Sequence, residues 1–500
     1  MTQRPGVGRN VLTTYGARFS VILAQFFLLP IVASATGAAA YGIYLLTVTF
    51  SVLFQTDLGM GSATTRFVAV AWAKKDSEGL RRVSAASVTF FLGLAVVASV
   101  VMAVVLMFAL PSLTLSPDLA ETAVVLAVLG TGSTFVASSL SSHRQILSGV
   151  GRLDLVNMVQ IGQVVVRVAG TFAVLWSGLG IIAVSFVDVS AILLGGVVTW
   201  LLRRRLARET NSRIRDFRWA SFRQMFTLSI DMLIMSIAAL LILQSGNIIV
   251  SMILPIAAVA VFGAGFRIYQ VSRELTNSLT AALLPAATER HVLEGAKANQ
   301  GLYLKGTKAA NALVIALVVP AAFFAYPLMT LWAGPELAAG YTVAQVLLLS
   351  MLFNNNHMVA VPILGAQGSL RAYAILHIIW AVTGIGLGVV LAHFLGIFGV
   401  ALGMSIPIVI LEPLYVGIAL SRLGLTWKQF FADVFAPTYG LAAVPAIAMI
   451  ACSIFLPAPE PARVAISIAV WAVLYGASLW VKGFGTSEKR QLVGHFYRAN

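Results

Sequence analysis

The chain has 500 residues, of which 59% are hydrophobic and only 10% charged, and its mean hydropathy is +0.93. Soluble domains carry about 25% charged residues, so a water-soluble enzyme or binding module is excluded and a polytopic membrane protein is implied. Lys and Arg outnumber Asp and Glu by 33 to 18, but their placement below ties that excess to membrane topology rather than to nucleic acid.

Arg4 and Arg9 precede the first apolar run, but no soluble domain follows as it would behind a secretory signal, so the N-terminus reads as a cytoplasmic tail. In chain order, apolar stretches between polar breaks predict spans over about 11–34, 40–60, 83–110, 122–142, 154–176, 179–202 and 224–250. Further spans follow over about 257–285, 304–333, 341–362, 373–394, 396–420, 435–457 and 463–481. The expected fold is therefore all-α, with about 14 transmembrane helices. From Tyr41 to Trp72 a straight helix would rise about 48 Å through a core only about 30 Å thick. A bend is predicted near Gly59 and Gly61.

With the N-terminus inside and the spans alternating, 27 of the 33 cations fall in inside segments, and only Arg463 falls at an outside boundary. This predicts both termini in the cytoplasm. Trp72, Trp176, Trp200, Trp332 and Trp480 sit near span ends, as an interfacial belt requires. Trp380 and Trp471 do not fit that pattern.

A weak internal repeat relates the halves. Ile146, Leu147, Gly151 and Leu153 recur as Ile363, Leu364, Gly368 and Leu370, at an offset of 217. Six plus six helices of one orientation form a parallel pseudo-repeat of two lobes, and two C-terminal helices are extra. The expected organisation is an N-terminal lobe over 1–202, a basic cytoplasmic linker over 203–223, a C-terminal lobe over 224–421, and two further spans with a cytoplasmic tail over 422–500.

Ten ionisable groups fall within the spans: Arg18, Asp57, Arg66, Arg167, Asp188, Asp231, Arg267, Arg273, Glu274 and Glu412. Each is tolerable only beside water, a partner or the interface. Arg66 and Glu412 are expected to reach the interface, and Arg167 and Asp188 to form a structural ion pair. Polar stripes at helical spacing run along several spans. They comprise Thr14, Arg18 and Gln25; Tyr44, Thr47, Ser51 and Gln55; Gln160, Gln163 and Arg167; and Arg267, Gln270, Glu274 and Asn277. Three consecutive amides, Asn354, Asn355 and Asn356, followed by His357, predict an interrupted helix. The stripes on the first, second and eighth spans, with Asp231 and Gln244 of the seventh, predict a shared hydrophilic cavity between the lobes. There is no GxxxxGK[ST], HExxH or CxxC, and the six histidines lack ligand spacing, so no catalytic residue, cofactor or metal site is expected. The short outside loops argue against a glycan polymerase.

Tyr41-Gly42-Ile43-Tyr44 followed by Asp57-Leu58-Gly59-Met60-Gly61 and Arg66-Phe67 resembles the bacterial polysaccharide-biosynthesis flippases of the multidrug/oligosaccharidyl-lipid/polysaccharide exporter superfamily. Ile146-Leu147-Ser148-Gly149-Val150-Gly151-Arg152 and Leu331-Trp332-Ala333-Gly334 are similar to that family too. The resemblance implies alternating access and a transporter rather than an enzyme. It implies a polyprenyl-pyrophosphate oligosaccharide as substrate, moved across the bacterial inner membrane for O-antigen, exopolysaccharide or capsule synthesis. A multidrug cation antiporter and a lipid II flippase are the alternatives. By helix position, Arg18, Arg267 and Arg273 are expected to meet the pyrophosphate. Gln25, Gln55, Gln270, Asn354, Asn355 and Asn356 are expected to meet the sugars. Asp231 or Glu274 would couple to a proton or sodium gradient. Other partners would be the lipid bilayer and glycan polymerase or assembly proteins, with no nucleic acid.

Overall fold

The computed structural model describes residues 7–57, 59–226, 230–281, 299–367 and 369–485. Leu58 and Gly368 of the motifs lie outside the described residues, as do the cations Arg4, Arg290, Lys297, Lys489, Arg490 and Arg498. No strand occurs among the described residues. By contacts the chain divides into two compact units, Met1–Gly263 and Ala264–Asn500. This division differs from the boundary expected at the basic stretch.

Unit 1 begins with α1 (Val7–Thr36), α2 (Ala38–Phe54), α3 (Met60–Ala73), α4 (Ser77–Ala109) and α5 (Pro117–Gly149). It continues with α6 (Leu153–Trp176), α7 (Ile181–Leu206), the short α8 (Trp219–Phe226) and α9 (Ile230–Ile253). The predicted bend is the break between α2 and α3. Gly59 holds φ +78°, and Asp57 accepts hydrogen bonds from the amides of Gly59 (3.0 Å) and Gly61 (3.1 Å). Asp57 thus satisfies open amides at the start of α3. Asp76 caps α4 in the same way through the Gly79 amide at 2.8 Å. Much of the outer face of α4 and α5 is apolar and exposed (Val97, Val100, Met107, Phe108, Val128), as a lipid-facing surface must be.

The basic stretch is not a loose linker. Arg203 is buried; its guanidinium meets His143 Nδ1 at 2.8 Å and donates to the Thr210 hydroxyl at 3.2 Å. Ala207, Phe217, Phe222 and Met225 join a core with Leu80, Phe91, Ile146 and Leu147. Here α8 lays its apolar face on the helix ends, and α9 packs on α2, where Asn247 donates to Thr49 at 2.9 Å. That contact explains why the compact unit extends beyond residue 202.

The unit boundary falls inside α10 (Ala257–Ala281). Unit 2 continues with α11 (Gln300–Phe323), α12 (Ala325–Ala333), α13 (Tyr341–Met358), α14 (Ala360–Ala366) and α15 (Arg371–Leu423). Two hairpinned spans follow, α16 (Trp427–Phe455) and α17 (Glu460–Gly483). The 53-residue α15 would rise about 80 Å if straight. It is broken at Gly396, whose φ of 59° is non-helical, matching the predicted break between 394 and 396. Trp471 is buried and donates to the Ala316 carbonyl at 3.0 Å, so α17 packs into the core of unit 2 on α11. Trp380 likewise donates to the Met404 carbonyl at 3.0 Å. Both tryptophans are packing residues, which is why neither fits an interfacial belt.

Eleven helices among the described residues are long and apolar enough to cross a membrane. The expected 14 is not reached on this criterion. The two halves of α15 count as one, α2 has only 17 residues, and α10 carries Arg267, Arg273 and Glu274. The chain is an all-α, multi-pass membrane protein.

Candidate functional site

Five helices of unit 1 turn polar residues toward one another, α1 through Gln25. From α2 come Tyr44, Thr47, Ser51 and Gln55; from α5 come Gly130, Ser133, Ser138 and Arg144. Gln160, Gln163 and Arg167 come from α6, and Ser185 and Asp188 from α7. They border two cavities of about 290 Å³ and about 260 Å³, which share Gln55, Gln160, Gln163 and Ile192. The shared walls make one polar track, and its span along α5 from Gly130 to Arg144 is about 21 Å. Each cavity approaches the lower size range of small-ligand sites.

At one end of the track the Arg167 Nε lies 2.7 Å from Asp188 Oδ1. An Arg167 Nη also donates to Asp188 Oδ2 at 3.3 Å and to the Tyr44 hydroxyl at 3.1 Å. Tyr44 in turn donates to Asp188. The ion pair expected between these helices is formed, and Tyr44 of α2 completes it. Net charge at this end is zero, which is how a membrane interior tolerates two ions. The middle of the track is neutral amide. Gln163 Nε2 reaches the Ile192 carbonyl at 3.5 Å, packed over Gly195, where a Cβ would lie 2.0 Å from that nitrogen. The half-buried Gln160 borders both cavities.

The structure brings together some predicted site residues and not others. Gln25 and Gln55 line the track. Arg18 lies about 10 Å before Gln25 along α1 and is exposed. Thr14, on the same stripe, instead receives the Asn157 amide at 2.8 Å, tying α6 to α1. Arg267, Gln270, Arg273 and Glu274 are half-buried on α10. Asp231 belongs to α9, but its side chain falls outside the described residues.

Asn354, Asn355 and Asn356 sit in a different environment, the core of unit 2. Asn355 donates to Asn311 Oδ1 at 2.8 Å, and Asn311 donates to Asn356 Oδ1 at 2.7 Å. Contrary to expectation, α13 runs through all three amides and ends at Met358, because Asn355 and Asn356 bond outward to α11. Glu412 does not reach the interface either. It is 5% exposed and accepts from the backbone N–H of His357 at 2.9 Å, with His357 Nδ1 at 2.6 Å from its other oxygen. The His357 ring stacks on Tyr415 at 4.4 Å, and the Tyr415 hydroxyl meets His377 Nδ1 at 2.8 Å.

Sequence reasoning found the stripes on α1, α2 and α6 but assigned the shared cavity to α1, α2, α9 and α10. The partners it missed were α5, which brings Ser133, Ser138 and Arg144, and α7. The polar residues that α7 brings are Ser185, Asp188 and Thr199, too sparse on an apolar helix to read as a stripe. Among the described residues no cluster of His, Cys, Asp and Glu could hold a metal ion.

The family model "Polysaccharide biosynthesis protein" matches residues 7–291. A comparison with curated proteins finds no match. Among solved structures, the fold is similar to a lipid II flippase, MurJ, in an inward closed conformation. That similarity has a TM-score of 0.72 at 14% identity, covering 94% of this chain and 97% of that one. It is also similar to a multidrug resistance MATE family transporter of the MOP superfamily in an inward-facing conformation. Here the TM-score is 0.68 at 17% identity, covering 82% of this chain and 94% of that one. At such identities the likeness shows a shared fold. The family match covers more than half of the chain, and with it the chain belongs to the polysaccharide biosynthesis protein family, on a MOP-superfamily fold.

Proposed function

We propose that the protein is a flippase. It moves a polyprenyl-pyrophosphate-linked oligosaccharide from the cytoplasmic to the outer leaflet of the bacterial inner membrane, by alternating access, for cell-surface polysaccharide synthesis. The observation that carries this reading is the polar track in unit 1. A membrane protein of a polysaccharide biosynthesis family carries about 20 Å of track in which glutamines and serines are interleaved with valine, alanine and isoleucine, where an all-apolar lining would be less costly. A sugar chain with many hydroxyls needs such a surface and supplies both donors and acceptors to it.

In this reading Arg18, Arg267 and Arg273 meet the pyrophosphate by charge-assisted hydrogen bonds. Gln25, Gln55 and Gln270 meet the sugars. Asn354, Asn355 and Asn356 would join them, the last two only by exchanging Asn311 for sugar hydroxyls. Asp231 or Glu274 exchanges a proton or sodium ion to reset the carrier. The distribution of cations supports cytoplasmic termini. A negative head moving outward is favoured by about 2.3 kcal/mol per charge per 100 mV.

The multidrug-antiporter reading draws on the fold and on an acid at the track wall. Asp188 is already neutralised by Arg167, however, which leaves no free anion there for an organic cation. The test is lipid analysis of a deletion strain. Lipid-linked oligosaccharide should accumulate, shielded from a glycan-modifying enzyme added outside, and the gene should reverse this. Drug sensitivity without accumulation would favour the antiporter. Accumulated lipid II would favour the lipid II flippase. Accumulation of exposed lipid would place the lost step after flipping and overturn the proposal.

A further inference from the structure

The charge layout of the track points to one class of sugar. One end holds an ion pair closed on itself, Arg167 with Asp188, with Tyr44 donating to the acid. Its middle holds the amides of Gln55, Gln160 and Gln163, which both donate and accept. The remaining charge on the walls is Arg144, at the opposite end. Among the described residues, neither Gln55 nor Gln160 spends its amide on another protein group.

A sugar hydroxyl matches an amide in both directions, whereas a carboxylate only accepts and can use half of each amide. A uronate reaching the ion pair would meet Asp188, and to reach Arg167 it would have to displace that acid. The displaced Asp188 side chain, only 16% exposed, would become an unpaired anion between membrane helices. A neutral sugar leaves the pair intact and adds hydrogen bonds at the amides.

We infer that the unit 1 track is a binding subsite for uncharged sugar residues, read by Gln55, Gln160 and Gln163, with the Arg167–Asp188 pair excluding carboxylated ones. This rests on the flippase reading above.

The test uses the full-length protein in proteoliposomes with two synthetic polyprenyl-pyrophosphate disaccharides, one of neutral hexoses and one ending in a uronate. Wild type should flip the neutral lipid at least about tenfold faster, the discrimination expected when one good hydrogen-bonded or charged contact is lost. The double variant Gln160→Ala, Gln163→Ala should slow the neutral lipid by about tenfold and narrow the ratio. Asp188→Asn frees Arg167 and should raise uronate flipping relative to neutral. The deciding readout is the ratio of the two lipids within one protein, which a lower yield of folded variant does not mimic. Equal rates for the two lipids in wild type, or an unchanged ratio in the double variant, would overturn the subsite while leaving the flippase reading standing. Failure to flip either lipid would overturn both.

Discussion

In unit 1 the amides of Gln55, Gln160 and Gln163 border an open track, whereas in unit 2 the amides of Asn355 and Asn356 bond to Asn311 within a closed core. Both regions place polar side chains on membrane-length helices, and both must satisfy them. Unit 2 does so by mutual bonding: Asn to Asn, His357 to Glu412, Tyr373 to the Tyr415 carbonyl at 2.8 Å. Along the track unit 1 does so at one end, through Tyr44, Arg167 and Asp188, and through Gln163 on the Ile192 carbonyl, but leaves Gln55 and Gln160 facing space. A polar group spent on a neighbouring helix stabilises the fold. A polar group left facing a cavity stabilises whatever enters. The comparison therefore predicts which substitutions damage folding and which damage transport.

The largest effect on folding is expected at Glu412. Glu412→Ala leaves both the backbone N–H and Nδ1 of a fully buried His357 without their acceptor. Removing one partner of a buried pair costs roughly 3–5 kcal/mol. Thermal unfolding in detergent should show a marked drop in midpoint. A variant as stable as wild type would break the comparison, since it would mean that the unit 2 network holds nothing together. Asn311→Ala comes next. It removes one donor and one acceptor from two neighbours and should cost roughly 1–3 kcal/mol, measured in the same way.

The outline of the fold was legible because it follows from apolar length and charge placement, both properties of the chain read one residue at a time. The motifs that carried the family resemblance turn out to be backbone devices. Gly59, Gly151 and Gly334 all hold positive φ at helix ends, and Asp57 caps the helix that follows the first of them. These glycines mark where helices stop, so they identified the fold, and of the motif residues among the described ones Tyr44 alone enters the site. The site depends on which stripes face each other, and stripe spacing fixes only the face within one helix. Gln25 and Gln55 were found because their stripes are dense. Asp188 was seen as a partner for Arg167, but its place in a cavity wall needed α7 to be positioned. Glu412 read as interfacial because the residue that holds it, His357, lies 55 positions earlier.

Gly59→Ala calibrates the comparison without touching either network. A Cβ there meets nothing within 4 Å, so the whole effect comes from φ +78°. The expected destabilisation is about 1–2 kcal/mol, intermediate between the network and track variants. A smaller value would show that the α2–α3 break tolerates a different backbone.

Gln55→Ala is expected to change folding least. The side chain borders both cavities and bonds to no protein group among the described residues, so its removal orphans no partner. The surface-like cost should stay within about 0.5 kcal/mol. Transport is another matter. If the amide meets a sugar hydroxyl in passage, its loss removes one hydrogen bond that forms only with substrate present. At about 0.5–1.5 kcal/mol per bond, the flipping rate should fall several-fold at unchanged midpoint. The pair of measurements carries the argument where either alone would not. A fall in both would make Gln55 a packing residue like Asn311, and an unchanged rate would mean that substrate passes the track without using it.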